Sequence, residues 1–279
     1  VVHRHRKRLL CVVLPDDVLV KVVLEFARRG HVRNFNRLNI TRLLVNNEIG
    51  TIEPVAEIGE QIHKKDPKVY FHVDAVQAFG KLPVYPKRMH IDMLSVSGHK
   101  IHGPKGIGLL YIDERVKIRP LILGGGQQKG MRSGTENVPG IAGIAEAARI
   151  AYSDMEKSNT RLYELKNALT SGLKAMSEKR PEAFIKINSQ EGTESAPHIV
   201  SAVFYPVKSE VMLHALEERG IYVSSGSACS SNKPGLSGTL SAIGLSKKEA
   251  DCTIRFSFSK YNTIDEVNYA LEQIRDVYG

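Results

Sequence analysis

The stretch Ser95-Val96-Ser97-Gly98-His99-Lys100-Ile101-His102-Gly103-Pro104-Lys105-Gly106-Ile107-Gly108 decides how the chain folds. The mostly apolar run Ile91 to Val96 reads as a short buried strand. A Gly/Pro-rich turn follows, then a second apolar run from Ile107 to Ile112. Ser97, His99 and Lys100 are thereby delivered at a strand exit. A lysine hemmed in by glycines at such a point is where a desolvated amine can form a Schiff base with a carbonyl cofactor. Ser97 and His99 beside it can donate hydrogen bonds to a phosphate. The competing reading is a plain loop with a solvated lysine.

Working outward, the same pattern recurs upstream. Ile40 to Val45 is a largely apolar run ending in Asn46-Asn47-Glu48-Ile49-Gly50. Pro54 opens a helix with Val55, Ile58 and Ile62 on one face. Val69 to Val73 is a strand ending in Asp74-Ala75-Val76-Gln77. Strands separated by helix-length segments predict an α/β domain with a mixed or parallel sheet and functional residues at the strand C-terminal ends.

Downstream, the polar, glycine-rich stretch Gly124 to Asn137 precedes a long helix from near Pro139, and a second amphipathic helix spans about Arg161 to Ser177. The two helices read as the link between domains. From Ile185 the pattern becomes α+β, with strands at Ile199 to Tyr205, Ile221 to Ser224 and Ile254 to Phe258. Helices fit Ser209 to Arg219, capped by Gly220, and Ile264 to Val277. The small-residue loop Ser224 to Gly235 carries Cys229. The expected division is an unmatched basic segment over 1–42, a partial large domain over 43–150 and a smaller C-terminal domain over 151–279. No internal repeat or low-complexity segment interrupts it.

The 279 residues suffice for one large domain or two modest ones. At 42% hydrophobic and 25% charged the composition is that of an ordinary globular protein, and no apolar window is long enough to predict a membrane span. Cys11, Cys229 and Cys252 are unclustered and odd in number, which argues against a disulfide framework and a metal site and suits a reducing, cytoplasmic setting. Of the formal charge of +9, residues 1–44 carry +7 (ten Lys or Arg against Asp16, Asp17 and Glu25), leaving +2 for the rest. A body this close to neutral, without a nucleic-acid motif, is not expected to bind nucleic acid. The basic cluster His3 to Arg8 and the apolar run Leu9 to Leu14 resemble a targeting segment, but the run is short and no small-residue cleavage site follows it.

Several residues admit two readings. Asp74 at a strand end can pair with a protonated ring nitrogen, or cap a following helix. Gln77 is then either the capping partner or a donor to the ring's phenolic oxygen. Cys229, among glycine and serines, is a candidate nucleophile or a structural thiol. Cys252 precedes a strand and is expected to pack. Arg255 is a carboxylate clamp or the polar side of an alternating strand.

Five ordered motifs bear on these alternatives. They are Asn46-Asn47-Glu48-Ile49-Gly50-Thr51, His72-Val73-Asp74-Ala75-Val76-Gln77, Ser97-Gly98-His99-Lys100, Arg132-Ser133-Gly134-Thr135-Glu136-Asn137 and Ser225-Gly226-Ser227-Ala228-Cys229-Ser230-Ser231. From about Leu43 to its end the chain closely resembles the pyridoxal-phosphate-dependent cysteine desulfurases, the NifS/IscS-like branch of the class V aminotransferases. The resemblance implies fold type I, with an incomplete large domain and a smaller C-terminal α+β domain. It implies that Lys100 carries the cofactor, Asp74 pairs with its ring nitrogen, Gln77 bonds its ring oxygen, and Ser97 and His99 hold its phosphate. Thr135 would reach the phosphate of a partner subunit in a homodimer. Asn47 and Arg255 would grip the carboxylate of L-cysteine, with Asn47 also beside the cofactor. Cys229 would take the sulfur as a persulfide, leaving L-alanine, and hand it to an acceptor such as an Fe–S scaffold or a thiolation protein.

The N-terminal part departs from that family. Its members carry, before the Asn-Asn-Glu motif, a longer segment with a phosphate-binding turn and a histidine in a Glu-His context. Residues 1–42 contain neither, and His3, His5 and His31 lie in other contexts. A truncated or shifted reading frame is one explanation for so sharp a break. Two functions therefore compete: an active desulfurase, and a cofactor-deficient remnant that keeps the fold and a partner-binding surface. A yellow or a colourless purified protein separates them.

Overall fold

The computed structural model describes residues 39–177, 183–225 and 237–279. They form two compact units, one comprising Glu53–Met155 with the described residues up to Leu44, the other Val45–Ile52 with Glu156–Gly279.

The first unit is built on a four-stranded sheet in the order β1 (Asn39–Leu43), β2 (Tyr70–Asp74), β3 (Met93–Ser97), β4 (Gly108–Ile112). The first three strands are parallel, with Leu43 beside Asp74 and Asp74 beside Ser95. β4 runs antiparallel, pairing Gly108 with Ser97. Phe71, Val73 and Val96 are fully buried, which suits strands covered on both faces. Helix α1 (Val55–Lys65) crosses between β1 and β2, and its Gly59 lies against the carbonyl of Met89, where a Cβ would come within 2.7 Å. Where the chain enters β2 and β3, buried Asp92 accepts the amide of Phe71 (2.8 Å), lies 3.1 Å from His63 Nε2 and forms an ion pair with Arg115. Helix α2 (Val138–Ser153) starts from Asn137, whose side chain accepts the amide of Gly140. The opposite end of the sheet, where β2 and β3 exit, carries the candidate site.

The second unit holds an antiparallel sheet in the order β5 (Phe184–Ile187), β6 (Ile199–Tyr205), β8 (Thr253–Ser257), β7 (Ser224–Ser225). Its core draws Leu165, Leu169 and Leu173 from helix α3 (Met155–Ser177), Met212 and Leu216 from α4 (Ser209–Glu217), and Val267 and Ile274 from α7 (Ile264–Tyr278). Two short helices, α5 (Gly238–Ala242) and α6 (Lys247–Ala250), precede β8. A capping box between Thr263 and Glu266 starts α7, an arrangement worth about 1 kcal/mol.

The strands expected before the Asn46, Asp74 and Ser97 motifs are present within two residues of their expected bounds. Three expectations need correction. Helix α3 begins at Met155, six residues before Arg161. The strand expected over Ile221 to Ser224 reduces to Ser224–Ser225, because Ile221 and Val223 pack against the core without pairing. The helix expected to run to Arg219 ends at Glu217, and Gly220 takes the left-handed turn (φ +74) three residues later. The basic cluster, Cys11 and the three N-terminal histidines lie outside the described residues.

Candidate active site

Asp74 is the last residue of β2, half-buried, and its Oδ1 accepts the amide of Val76 at 2.9 Å. No helix follows. The chain turns through Ala75 to Phe79, with the amides of Ala78 and Phe79 both bonded to the Ala75 carbonyl, and Gly80 reverses it at φ +74. The helix-cap reading of Asp74, and with it the capping-box reading of Gln77, is thereby excluded. Burial pushes the Asp74 carboxyl above its ordinary value, and no described cation forms an ion pair with it. Gln77 sits half-buried in the same turn.

Ser97 ends β3, buried, with its Oγ 2.8 Å from His99 Nδ1. His99 and the half-buried Lys100 lie on a four-residue 3-10 turn, Gly98–Ile101. Gly98 has to be glycine: a Cβ there would lie 2.9 Å from the carbonyl oxygen of Ile107. The turn is closed by the Gly103 amide on the Gly98 carbonyl (2.9 Å) and seated by buried Ile101. Helix α2 backs it with small residues. Ala147 packs on Gly103, and a Cβ on Gly143 would meet Pro104 Cγ at 2.5 Å. Asp74, Gln77, Ser97, His99 and Lys100 are thus delivered by two neighbouring strand exits of one parallel pair. Thr135 is exposed in the glycine-rich loop, and among the described residues no hydrogen bond ties it to those five.

The second unit assembles a different group. Asn46 Oδ1 accepts the amides of Glu48 (2.9 Å) and Ile49 (3.0 Å), shaping the turn that carries the half-buried Asn47. Arg255 on β8 donates from Nη1 to the Asn47 carbonyl (2.8 Å) and from Nη2 to Ser224 Oγ (3.3 Å). Arg255 is therefore not the water-facing position of an alternating strand; it is tied into the Asn47 turn. Cys252 is buried, and burial pushes its thiol up, which suits packing and not nucleophilic chemistry. Cys229 lies outside the described residues.

Two contacts had no counterpart in the sequence reading. Lys81 donates from Nζ to the Lys100 carbonyl at 2.9 Å, and buried His72 lies 2.8 Å from Ser95 Oγ on the sheet face that carries Asp74. A lysine directly after the glycine of an apolar loop, Phe79-Gly80-Lys81-Leu82, was the available signal for the first. Burial holds His72 at about 4, so it is neutral near pH 7. Among the described residues no group of His, Cys, Asp and Glu could hold a metal ion, and no helix is long and apolar enough to cross a membrane.

The model of the aminotransferase class-V family matches residues 38–270. The chain belongs to the class-V aminotransferase family. Among curated members, it is 40% identical over 238 residues to "Cysteine desulfurase IscS" of Methanosarcina thermophila, covering 85% of this chain and 57% of that one. It is 42% identical over 234 residues to "Cysteine desulfurase IscS" of Clostridium botulinum, covering 84% and 57%. A solved "NIFS-LIKE PROTEIN" superposes with a TM-score of 0.77 at 37% identity, over 86% of this chain and 60% of that one. The chain therefore spans somewhat under two thirds of the length of these class-V members.

The family depends on pyridoxal phosphate, and the residues of the first unit fit that group. A half-buried carboxylate, raised by burial and without an ion-pairing cation among the described residues, suits a protonated ring nitrogen, since the cation would relieve the penalty that burial imposes. The Ser97–His99 pair offers donors to an anion, and Lys100 an amine on the adjoining turn.

Proposed function

We propose that the chain acts as a cysteine desulfurase, taking L-cysteine to L-alanine and leaving the sulfur as a persulfide on Cys229. The observation that carries this reading is the pairing of strand exits that presents Asp74 beside the Ser97–His99–Lys100 turn. The 40–42% identity to cysteine desulfurases favours this member of the family.

Pyridoxal phosphate, when bound, supplies an electron sink that labilises the bonds around an amino acid's Cα. Lys100 would hold it covalently, Asp74 would keep its ring nitrogen protonated, Gln77 would donate to its ring oxygen, and Ser97 and His99 would bind its phosphate. Thr135, exposed on its loop, would serve the phosphate site of a second copy in a homodimer. Arg255, with Asn47, would orient the substrate carboxylate through the planar fork of its guanidinium.

The Cys229 thiolate attacks the substrate sulfur, forming an S–S bond as the Cβ–S bond breaks. The carbon keeps the electron pair and takes up a proton, giving alanine. One thiol and one cysteine thus become one persulfide and one alanine, with no external oxidant. The persulfide would pass to an acceptor protein, an Fe–S scaffold or a thiolation protein, in a cytoplasmic setting.

The test is incubation of the purified chain with pyridoxal phosphate and L-cysteine, reading alanine release and the mass of the Cys229 peptide. Persulfide on that peptide, with alanine formation lost in Cys229→Ser while cofactor uptake persists, is the expected result. Unchanged turnover in the serine variant, or labelling of Cys252, removes Cys229 from the reaction.

A further inference from the structure

One half-buried cation has no task in the chemistry above. Lys81 follows the left-handed Gly80 in the loop that leaves β2, and its Nζ donates to the main-chain carbonyl of Lys100 at 2.9 Å. That carbonyl lies at the end of a four-residue 3-10 turn, where the last carbonyls have no helical donor. His102 caps the turn in the left-handed region (φ 62) and donates its amide back to Gly98. Lys81 brings the missing donor from a different loop.

The position is an unfavourable one for an ammonium. Burial, and then the charge of Lys100, push Lys81 down to about 8. An apolar side chain of the same length would carry no such penalty. What the lysine gives in return is a link between two segments. The loop from Asp74 to Lys81 bears Asp74 and Gln77; the turn from Ser97 to His102 bears Ser97, His99 and Lys100. Gly80 packs against Ile101 and Ala151, where a Cβ would come within 3.0 and 2.9 Å, so the two segments already touch one residue before the bond.

We propose that Lys81 is a positioning residue, whose ammonium cross-ties the loop after β2 to the turn after β3 and so holds Lys100 in register with Asp74. The bond stands on geometry alone; its consequence for the cofactor rests on the desulfurase reading. Lys81 touches neither the cofactor nor the substrate in this role. It acts through Lys100, whose reacting amine must sit within a fraction of an ångström of its working place.

The test compares the full chain with Lys81→Met, which keeps the stem and removes the cation, and Lys81→Arg, which keeps a cationic donor. Pyridoxal phosphate is added, bound cofactor is fixed with borohydride, and the yield on the Lys100 peptide is followed in time. Hydrogen exchange is measured in parallel on the cofactor-free proteins. The expected result is at least tenfold slower fixation in Lys81→Met, restored in Lys81→Arg. Faster exchange should be confined to peptides covering 74–81 and 98–106, with the β2 and β3 peptides unchanged.

Fixation within twofold of wild type in the methionine variant overturns the proposal, as does an arginine variant no better than methionine. Protection lost evenly across the first unit also overturns it, because Lys81 would then serve the fold and not the register. If the wild type fixes no cofactor at all, the desulfurase reading fails. The cross-tie is then decided by exchange alone: loss confined to the two segments upholds it, and uniform or absent loss overturns it.

Discussion

Gly143→Ala tests whether helix α2 sets the position of the Lys100 turn. The added Cβ would lie 2.5 Å from Pro104 Cγ and 2.9 Å from Pro104 Cδ. An ordinary carbon contact is about 3.5–4.0 Å, so helix and turn must separate by about 1 Å. Neither partner gives easily: Pro104 is a ring fixed in the backbone, and Gly143 lies inside a 16-residue helix. Such overpacking costs about 1–3 kcal/mol, and replacing glycine by alanine inside a helix returns about 1 kcal/mol. The net loss is about 1 kcal/mol, a fall in Tm of about 2–4 °C. The functional effect should be far larger, because a displacement of about 1 Å near a reacting group can cost about 100-fold in rate. The assay pairs a thermal melt with the rate at which Lys100 is fixed to pyridoxal phosphate. Wild-type fixation in a variant whose Tm has fallen as expected would refute the view that α2 positions the turn. A Tm equal to wild type would show that relieving the 2.5 Å approach costs no more than the roughly 1 kcal/mol that alanine returns inside the helix.

Two further outcomes follow from the site geometry. Burial raises the Asp74 carboxyl, so the cofactor-free chain should lose stability as pH rises from the ordinary carboxylate range through that raised value. Asp74→Asn should flatten this slope and leave the cofactor-free chain more stable than wild type at pH 7 in urea titrations, while turnover falls by about 10²–10³-fold; a variant less stable at pH 7 would mean that the carboxylate is favourable where it stands. Arg255→Lys keeps the charge and loses the fork that reaches Asn47 and Ser224. It should raise KM for L-cysteine at least tenfold with kcat within a few-fold, and an unchanged KM would remove Arg255 from substrate binding.

The strands at the motif exits were legible because short apolar runs with glycines and polar clusters at their ends fix both type and place. Ile107 to Ile112 announced β4 but not its direction. A five-residue strand carries no mark of parallel or antiparallel pairing; the short return from Ser97 to Gly108 sets it. The early start of α3 was hidden because residues 155–160 are mostly polar and show no apolar period. Ser246-Lys247-Lys248-Glu249 spelled out a capping box that the structure uses to start α6, yet four residues have too little periodicity to read as a helix. Within the site, residue types at strand exits raised Asp74, Ser97, His99 and Lys100 as candidates beside plainer readings, Arg255 stood out as a charge inside an otherwise apolar strand, and only the family resemblance gave them roles. Lys81 was marked only by its place after Gly80 in an apolar loop, a weak signal, because a lysine in a loop looks solvated until the fold half-buries it. Nor does any sequence pattern mark Val45–Ile52 as belonging with residues a hundred positions later. That grouping comes from Gly50, which packs on Ser195 and Ile199 and accepts the Ala196 amide at 2.7 Å.

Asp92 and Asp74 stand at opposite ends of the same two parallel strands, and their surroundings are opposites. Asp92, 2% exposed, is answered by the amide of Phe71, by His63 and by Arg115. Asp74 has the amide of Val76 and no ion pair among the described residues. The sheet is thus polarised along its length, with charge settled at the entrance and left unsettled at the exit. Heritable change can fall on the two ends separately. Replacements around Asp92 tune how firmly the sheet is anchored while the exits of β2 and β3 keep their outline. Replacements around Asp74 alter what the sheet can bind and leave its anchorage alone. A lineage carrying this sheet can therefore drift in robustness and in chemistry independently, because the strands keep the two demands a strand length apart.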